Sequence, residues 1–456
     1  MQPRQSAEAS AYRERVARAS ASLRAMAAGA PPRLDKHSSN LFRAREAGPA
    51  QRLDLRDFNH VLGIDAEASW VDVEGLVPYE ALVAATLPLG LMPQVVPQLK
   101  TITAGGAVVG VGIEATSFRH GLVHDTLLEA DVLLASGEVV TCRPDNEHRD
   151  LFFGLANSYG TLGYALRLRL RLQPVRRFVR VEHRRFGAAA EAFAALDRAC
   201  DSDADFVDGV AFGADDLVLN LGRFVDAAPH CSDYTGPGMS QIYYRSLRDK
   251  PLDHLTVADY LWRWDTDWFW CSKNFGAQHP LLRRLFGRRH LNSRTYTRLM
   301  RLNARWALSQ RLERWTGRAG ESVVQDVDIP IGRAAEFLDF LLREIRITPI
   351  WLCPIRPAEA AADFTLYPLA PGVRYVNFGF WDRVERPPGA DSTTLNRRVE
   401  QQVLTLGGIK SLYSDSFFTP AEFAAAYRMD RYAALKARYD PGRRLLGLYE
   451  KCVLRA

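Results

Sequence analysis

The chain's clearest pattern is an alternation of apolar and basic residues at Tyr164–Leu172, which read Y-A-L-R-L-R-L-R-L. Successive side chains of a strand point to opposite faces, so this pattern predicts a strand with one buried face. Ser69–Glu74 alternates in the same way. Further short strands are predicted at Leu53–Leu55, Val61–Ile64, Asp125–Leu134 and Glu138–Cys142, and helices at Ser6–Ala28, Tyr79–Leu87 and Asp150–Ala156.

After Pro174 the pattern changes to strands and helices in turn. Strands are predicted at Arg177–Phe186, Phe206–Phe212, Leu217–Phe224, Val323–Ile329, Pro349–Cys353 and Tyr375–Trp381. Helices are predicted at Ala188–Cys200, Arg333–Glu344, Leu395–Leu406 and Pro420–Arg438. The sequence therefore predicts an α+β protein with an N-terminal helix (1–29), a first domain (30–175), a second domain on an antiparallel sheet (176–438) and a closing segment (439–456) that returns to the first domain.

Composition narrows the class of protein. A chain of 456 residues, 47% of them hydrophobic, is typical of two globular domains. We expect no membrane-spanning helix and no signal peptide, because no long apolar run is present, and hence a cytoplasmic protein, at most peripheral at the inner face of the membrane. Six scattered cysteines without a C-x-x-C pair favour reduced thiols and no metal site. The net charge of +6 suits an anionic cofactor or an acidic membrane surface without choosing between them.

The most informative segment is Val96–Gly121, where Gly105, Gly106, Gly110 and Gly112 follow Thr103. A diphosphate and a flat cofactor ring that lie against the main chain need residues without side chains and free N–H groups. A glycine-rich turn between strands is the alternative. The spacing G-x-G-x-x-G of the Rossmann fold is absent, and we expect that these glycines do not open a helix.

Further strings follow in a fixed order: the hairpin D-V-L-L-A-S-G-E-V-V, D-L-F-F at Asp150–Phe153 and S-Y-G-T-L-G-Y at Ser158–Tyr164. Together with the glycine segment they resemble the FAD-binding domain of the vanillyl-alcohol-oxidase and p-cresol-methylhydroxylase (PCMH) superfamily. The resemblance implies a PCMH-type domain of two small α/β lobes, with the N-terminal lobe reduced. It implies FAD contacts from Lys36, Ser38, Ser39, Asn40, Gln98, Thr103, Gly105, Gly106, Gly110, Gly112, Ile113, Ser117, Thr161 and Gly163. The Gly-Gly-Gly-His-Ser string of the superfamily is missing around His37, which favours non-covalent FAD.

The second half carries more specific strings, at Asp259–Cys271, Val323–Pro330, Thr348–Pro354 and Ser411–Phe418. These resemble sterol side-chain Δ24 reductases and bacterial relatives that reduce a methylene-branched fatty acyl chain. The resemblance implies NADPH-driven reduction of an isolated C=C bond in a lipid, with a methylene-branched acyl chain of a phospholipid as the first candidate and a sterol as the alternative. It also suggests a lipid methyltransferase as a partner.

An isolated alkene has no carbonyl group to accept electron density, so hydride addition requires a proton from an acid. Candidate acids are Asp326, Asp415, Tyr413 and Glu114, and for each carboxylate a structural bond to the backbone or to an arginine is the alternative. Trp351, Cys353 and Trp268 are the candidate walls of a substrate cavity, with packing in a core strand as the alternative.

Residues 281–315 combine basic and apolar positions at helical spacing. Arg298, Arg301 and Arg305 recur beside Leu299, Leu302 and Trp306. This arrangement is typical of a helix on an anionic membrane surface, and a solvated basic helix is the alternative. No groove-reading motif indicates nucleic acid. Two other hypotheses remain open: an oxidase or desaturase of the same fold, and a binding protein with a vestigial flavin fold.

Overall fold

The computed structural model describes residues 2–27, 30–36, 42–43, 51–238, 241–306, 320–359, 362–386 and 391–455. The strands are β1 (Pro32–Asp35), β2 (Gln51–Asp54), β3 (Val61–Asp65), β4 (Trp70–Glu74), β5 (Leu91–Pro93), β6 (Leu127–Leu133), β7 (Val139–Cys142), β8 (Tyr164–Pro174), β9 (Phe178–Phe186), β10 (Phe206–Ala211), β11 (Leu217–Val225), β12 (Leu252–Thr256), β13 (Gly320–Pro330), β14 (Ile350–Ile355), β15 (Tyr375–Glu385) and β16 (Ile409–Lys410). The α-helices are α1 (Gln2–Ala25), α2 (Tyr79–Thr86), α3 (Ala104–Val109), α4 (Ser117–His120), α5 (Arg149–Gly154), α6 (Ala189–Ala199), α7 (Tyr243–Ser246), α8 (Val257–Leu261), α9 (Pro280–His290), α10 (Ser293–Trp306), α11 (Ala334–Phe340), α12 (Thr394–Thr405), α13 (Pro420–Ala426), α14 (Met429–Tyr439) and α15 (Leu448–Cys452).

The first sheet is built around β8, the strand with the alternating pattern. Its order is β3-β4-β8-β6-β7, and β5 pairs with the far end of β8. The leucines of β8 are buried, while Arg167 and Arg169 point to the other face and bind Asp131 at 2.8 Å and Asp72 at 2.7 Å. The strand prediction is confirmed. The arginines are accommodated because carboxylates of β4 and β6 lie opposite them.

Helix α1 packs on the first sheet. Its Leu23 is fully buried in a small core with Leu53, and Arg15 donates to Glu74 at 2.8 Å. The segment after α14 reaches the same place, because Leu445 joins this core and Arg444 donates to the carbonyl of Leu23 at 2.9 Å.

The second sheet has eight antiparallel strands in the order β12-β9-β11-β10-β14-β15-β13-β16. Alternate residues of its central strands face opposite ways. One set packs under α6, α11 and α12 in an apolar core that includes Leu352, Phe378 and Val327. The other set faces the first sheet, and the cleft described below lies there.

Two helix predictions in this half need correction. The helix predicted at Pro420–Arg438 is divided into α13 and α14, because Arg428 adopts a left-handed φ of 47°. The helix predicted at Arg333–Glu344 is α-helical only to Phe340 and continues as a π-turn at Leu341–Ile345. Strand β12, which pairs with β9, was not predicted from the sequence. Among the described helices, none combines the length and the apolar character needed to cross a bilayer.

Candidate FAD site

A cleft runs between the first sheet and the face of the second sheet that points toward it. One part, which we call the aromatic end, is walled by Trp351, Trp381 and Tyr413. The other part, the basic end, is lined by Arg33, Arg43 and Lys451. Thr103 and Tyr159 line both parts, so the two form one elongated site.

The glycine segment forms one wall of this cleft, but not as a loop. Ala104–Val109 is the helix α3, and the Thr103 hydroxyl caps it by accepting from the Gly106 amide at 3.2 Å. The expectation that these glycines do not open a helix is wrong, since threonine is a favoured N-cap residue. Gly105 is needed because a Cβ there would lie 2.8 Å from the carbonyl oxygen of Gly75.

The loop after α3 completes the wall of the aromatic end. Gly110, Gly112 and Ile113 line it, and Gln98 donates to the Ile113 carbonyl at 3.0 Å. A Cβ on Gly112 would lie 2.9 Å from a methyl group of Val123, so packing as well as ligand space requires glycine.

The basic end carries four cationic side chains from three separate segments, and among the described residues that line it there is no carboxylate. Arg43 lies over the ring of Tyr159, 4.7 Å from its centroid, and Lys451 donates to the Tyr159 carbonyl at 2.7 Å. Arg33 and Lys36 complete the set. Such a surface suits the diphosphate of a dinucleotide. Lys36 was predicted, whereas Arg33, three residues earlier in the same segment, was not chosen. Arg43 and Lys451 were missed because they lie in no recognised motif.

Tyr159 joins the two ends of the cleft, and sequence reasoning missed it too. Its backbone is left-handed, with φ of 49°, and its hydroxyl lies 3.3 Å from the Ser411 hydroxyl of the opposite wall. A left-handed non-glycine residue at a binding site is a signal of function that only coordinates reveal. The string S-Y-G-T-L-G did mark this segment, but Thr161 and Gly163 were chosen from it.

The opposite wall of the aromatic end holds a carboxyl group. Gly379 of β15 pairs with Trp351 of β14 on one side and with Asp326 of β13 on the other. A Cβ on Gly379 would lie 2.7 Å from Asp326 Oδ1 and 3.2 Å from the Trp351 ring, so both side chains share the space that glycine leaves.

Burial raises the pKa of Asp326 to about 7, and the nearby charge of Asp328 also raises it. The hydroxyl of Tyr413 approaches the carboxyl and opposes this shift, while its own pKa is raised well above the ordinary value by burial and by Asp326. At neutral pH this carboxyl therefore holds a proton in a large fraction of molecules.

Aromatic rings shield this carboxyl group. The centroid of the Phe42 ring lies 4.9 Å from that of the Trp381 ring, and the Phe42 backbone amide donates to the Tyr413 carbonyl oxygen at 3.0 Å. Phe269 packs 5.2 Å from Trp381 on the other side. The aromatic end is consequently a largely apolar chamber with one acid in its wall.

Comparison with known proteins identifies an FAD-binding domain in the segment that carries the glycines. Residues 37–143 match a family model described as FAD binding domain. A Δ24-sterol reductase of Pisum sativum is 26% identical over 353 residues, which cover 70% of this chain and 59% of that protein. The Δ24-sterol reductase of Arabidopsis thaliana is 24% identical over 447 residues, 88% of this chain and 76% of the relative. Cytokinin dehydrogenase 6 of Oryza sativa subsp. japonica is 37% identical over 113 residues, 25% of this chain and 21% of the relative.

The protein is an FAD-dependent oxidoreductase. Its PCMH-type FAD-binding domain and its α+β fold agree with the prediction from the sequence, and it is similar to Δ24-sterol reductases.

Only some of the other predicted FAD contacts line the cleft. Gly163 lines the basic end. Ser117 is buried and accepts from the Glu114 amide at 3.1 Å, and the Thr161 hydroxyl donates to the Ser158 carbonyl at 2.8 Å, so both hydroxyls serve the local backbone and neither lines the cleft. Three further predicted FAD contacts, Ser38, Ser39 and Asn40, lie outside the described residues, as does His37.

Two of the candidate acids lie away from the cleft wall. Asp415 is partly exposed and its carboxylate lies 3.6 Å from Arg455. Glu114 is buried and accepts from Arg263 at 2.6 Å, and Arg263 also binds Asp208 at 2.7 Å. Burial raises the pKa of Glu114, and the guanidinium of Arg263 opposes the rise.

This buried ion group supports the wall from behind, since the Trp351 indole donates to Asp208 at 3.2 Å. Of the candidate cavity residues, Trp351 lines the aromatic end. Cys353 is fully buried two residues further along the same strand, and Trp268 stacks on Tyr296 with ring centroids 5.9 Å apart. Neither lines the cleft.

Proposed function

We propose that this enzyme reduces an isolated C=C bond in a lipid, with non-covalent FAD in the cleft and NADPH as the reductant. The observation that carries the proposal is Asp326, a carboxyl group with a pKa of about 7 in an apolar aromatic wall opposite the glycine segment. The similarity to Δ24-sterol reductases supports the same chemistry.

The residues present fit FAD. The cations of the basic end would hold the diphosphate, and the backbone of α3 and of Gly110–Ile113 would lie along the ring system. The reduced cofactor supplies a hydride equivalent for addition to carbon.

The chain's own residues supply the rest of the reaction. Asp326 holds a proton at its carboxyl group and releases it to one carbon of the double bond. Trp351 and Trp381 exclude water, and their ring faces stabilise the positive charge that develops on the more branched carbon. The Tyr413 hydroxyl near the Asp326 carboxyl opposes part of the rise in the pKa of that carboxyl.

Among lipids, we favour a methylene-branched fatty acyl chain of a phospholipid, reduced to the methyl-branched chain. A sterol side chain with a Δ24 double bond is the second candidate, and the similarity of the chain to Δ24-sterol reductases favours it. Either substrate is apolar and would occupy the aromatic end. The enzyme would work in the cytoplasm at the inner face of the membrane, with a lipid methyltransferase as a partner that makes the methylene group.

The test is a pair of anaerobic half-reactions. Purified enzyme mixed with NADPH should lose its flavin absorbance at about 450 nm. Addition of a methylene-branched phospholipid, or of a Δ24 sterol in a parallel experiment, should restore the absorbance and yield the saturated lipid. An enzyme that is not bleached by NADPH but is bleached by a polyol or a saturated lipid would instead run in the oxidase direction. A colourless protein that gains no heat stability from FAD would overturn the proposal entirely.

A further inference from the structure

Helix α9 presents leucines to solvent. Leu281 and Leu285 are 67% and 77% exposed, more than any other large apolar side chain of the described chain. They lie four residues apart and therefore share one face of the helix. Two leucines held side by side in water require an explanation, because single exposed apolar residues are ordinary but neighbouring ones mark an interaction site.

Basic residues predominate around these leucines. Residues 268–312 contain no aspartate or glutamate. Arg284 lies between the two leucines, and Arg288 and Arg289 follow Gly287, whose φ of 54° and ψ of −174° interrupt the helix. Arg288 reaches Asp259 at 2.8 Å. Within the part of the chain that the structure describes, Arg284 and Arg289 form no ion pair with an acid. An anionic surface with an apolar interior is complementary to this face.

The neighbouring helix α10 is packed on the protein along part of its apolar side. Tyr296 is fully buried, and Leu299 packs against the main core. Arg298 is exposed, and Leu302 is 51% exposed. The side chains of Arg301, Arg305 and Trp306 lie outside the described residues. Among the described side chains, the most exposed leucines are those of α9.

The start of α10 adjoins the cleft. The Asp265 carboxylate accepts from the Lys100 amide at 2.9 Å and from the Ser293 amide at the start of α10 at 3.2 Å. Thr101, which lines the aromatic end, lies 3.4 Å from the Ser293 hydroxyl. Direct contacts therefore join the loop at the cleft to α10, the helix that follows α9 in the chain.

We infer that α9 docks on an anionic phospholipid bilayer, with Leu281 and Leu285 in the acyl region and Arg284 and Arg289 among the headgroups. Docking would bring the aromatic end of the cleft next to the bilayer from which its substrate comes. The inference rests on the proposed function only in that last respect, since vesicle binding needs neither FAD reduction nor turnover.

The test uses the flavin-loaded full chain and sedimented vesicles of phosphatidylcholine, alone or mixed with phosphatidylglycerol. The protein should bind the mixed vesicles and release from them as salt is added. Leu281→Ser with Leu285→Ser should lower the partition coefficient at least about tenfold, because two apolar side chains lose their burial. Arg284→Gln with Arg289→Gln should lower it about fivefold for each charge. Leu89→Ser with Leu454→Ser is the matched control, because these leucines are 53% and 54% exposed elsewhere, and it should leave binding unchanged.

Three outcomes would overturn the inference: no binding to anionic vesicles, equal losses for both leucine pairs, or losses for the arginine pair alone. The last would indicate adsorption to any polyanion. NADPH bleaching and turnover of a detergent-dispersed lipid, measured on the same α9 variants, should be unaltered. If those reactions fail in the parent enzyme while vesicles are still bound, the proposed function falls and the docking surface stands.

Discussion

The ammonium group of Lys451 lies 2.7 Å from the carbonyl oxygen of Tyr159. This contact carries a positive charge from α15 into the basic end of the cleft, next to Arg43. A residue of α15 thereby lines a cleft whose other walls come largely from residues far earlier in the chain.

Replacing Lys451 should weaken FAD binding. In Lys451→Gln the dissociation constant should rise about tenfold, since one charge-assisted contact to the diphosphate is lost. Lys451→Arg should retain most of the affinity. Quenching of flavin fluorescence on titration of the deflavinated protein measures both. Arg184→Gln, a change at an exposed arginine on β9, is the control, and an equal effect there would refute a specific role for Lys451.

Asp326→Asn should abolish reoxidation of the reduced enzyme by the lipid while leaving NADPH bleaching intact. Loss of a proton donor costs about 10²–10⁴ in rate. In the parent enzyme this rate should be highest below the pKa of about 7 and fall about hundredfold by about pH 9, as the carboxyl loses its proton. Rapid-mixing spectroscopy over a pH series provides the measurement. A pH profile that survives the substitution would show that another group donates the proton.

The same shift in pKa affects stability. The folded pKa of about 7 lies above the ordinary value of 3.8, so the folded state holds the proton more tightly than the unfolded chain. This contribution is fully present below about pH 3.8 and is lost as the pH rises through about 7. Asp326→Asn should therefore flatten the decline of the free energy of unfolding over that range, as urea titrations at several pH values would show.

Asp328 offers a matched contrast on the same strand. Its carboxylate accepts from Tyr367 at 2.6 Å and from Asn377 at 2.8 Å, and it does not line the aromatic end. Asp328→Asn should destabilise the fold by roughly 1–3 kcal/mol through these buried bonds. It should also move the pH profile of lipid reduction to lower pH without abolishing it, because the Asp328 charge that raises the pKa of Asp326 is removed. Loss of the pH dependence in Asp328→Asn, with its retention in Asp326→Asn, would contradict the assignment of the proton to Asp326.

Gly379→Ala should disturb both the stability and the acid. The new methyl group would lie 2.7 Å from Asp326 Oδ1 and 3.2 Å from the Trp351 ring. We expect a loss of about 1–3 kcal/mol in the free energy of unfolding, together with slower reoxidation by the lipid. Gly63→Ala is the control, since nothing lies within 4 Å of a Cβ there. Equal stabilities of the two variants would mean that the space beside Asp326 is not tightly filled.

Arg263→Met tests the buried ion group behind Trp351. The change leaves Glu114 and Asp208 buried without their cation, which should cost about 3–5 kcal/mol in urea unfolding. The loss in the free energy of unfolding should be smaller at lower pH, because a protonated Glu114 carries no charge for the guanidinium to neutralise. Arg119→Met breaks a partly exposed pair with Asp205 and should cost at most about 1 kcal/mol. Similar losses would show that burial does not govern the strength of the group.

Period-two patterns predicted most strands, because a strand with one buried face alternates apolar and polar residues in the sequence. The Leu-Arg alternation of β8 is the plainest case, and the partners of its arginines came from strands that had themselves been predicted. The break at Arg428 could not be predicted, since the surrounding residues favour a helix and a single left-handed residue leaves no pattern. Helix α3 was missed because its two glycines, which disfavour a helix, were given more importance than Thr103, a favoured N-cap residue.

The site was predictable where one segment supplies it and unpredictable where segments far apart in the chain converge. Thr103, Gly106 and Gly112 were found from their local motif, and Asp326 was found as one of four candidate acids. Nothing in the sequence connected Arg43, Tyr159 and Lys451, which lie 116 and 292 residues apart and meet only in the fold. Glu114 could not be separated from Asp326 either, since only coordinates reveal that Arg263 engages one and not the other.

Alternate residues along the strands of the second sheet have different surroundings. Along β13, β14 and β15, one set of side chains builds the apolar core under the helices, and the alternate set, with Asp326, Trp351 and Trp381, faces the cleft. Substitutions in the second set can thus change which hydrocarbon is accepted without altering the hydrophobic interior. A fold arranged in this way can diverge toward new lipids in small steps, each tolerated by the half of the sheet that does not change.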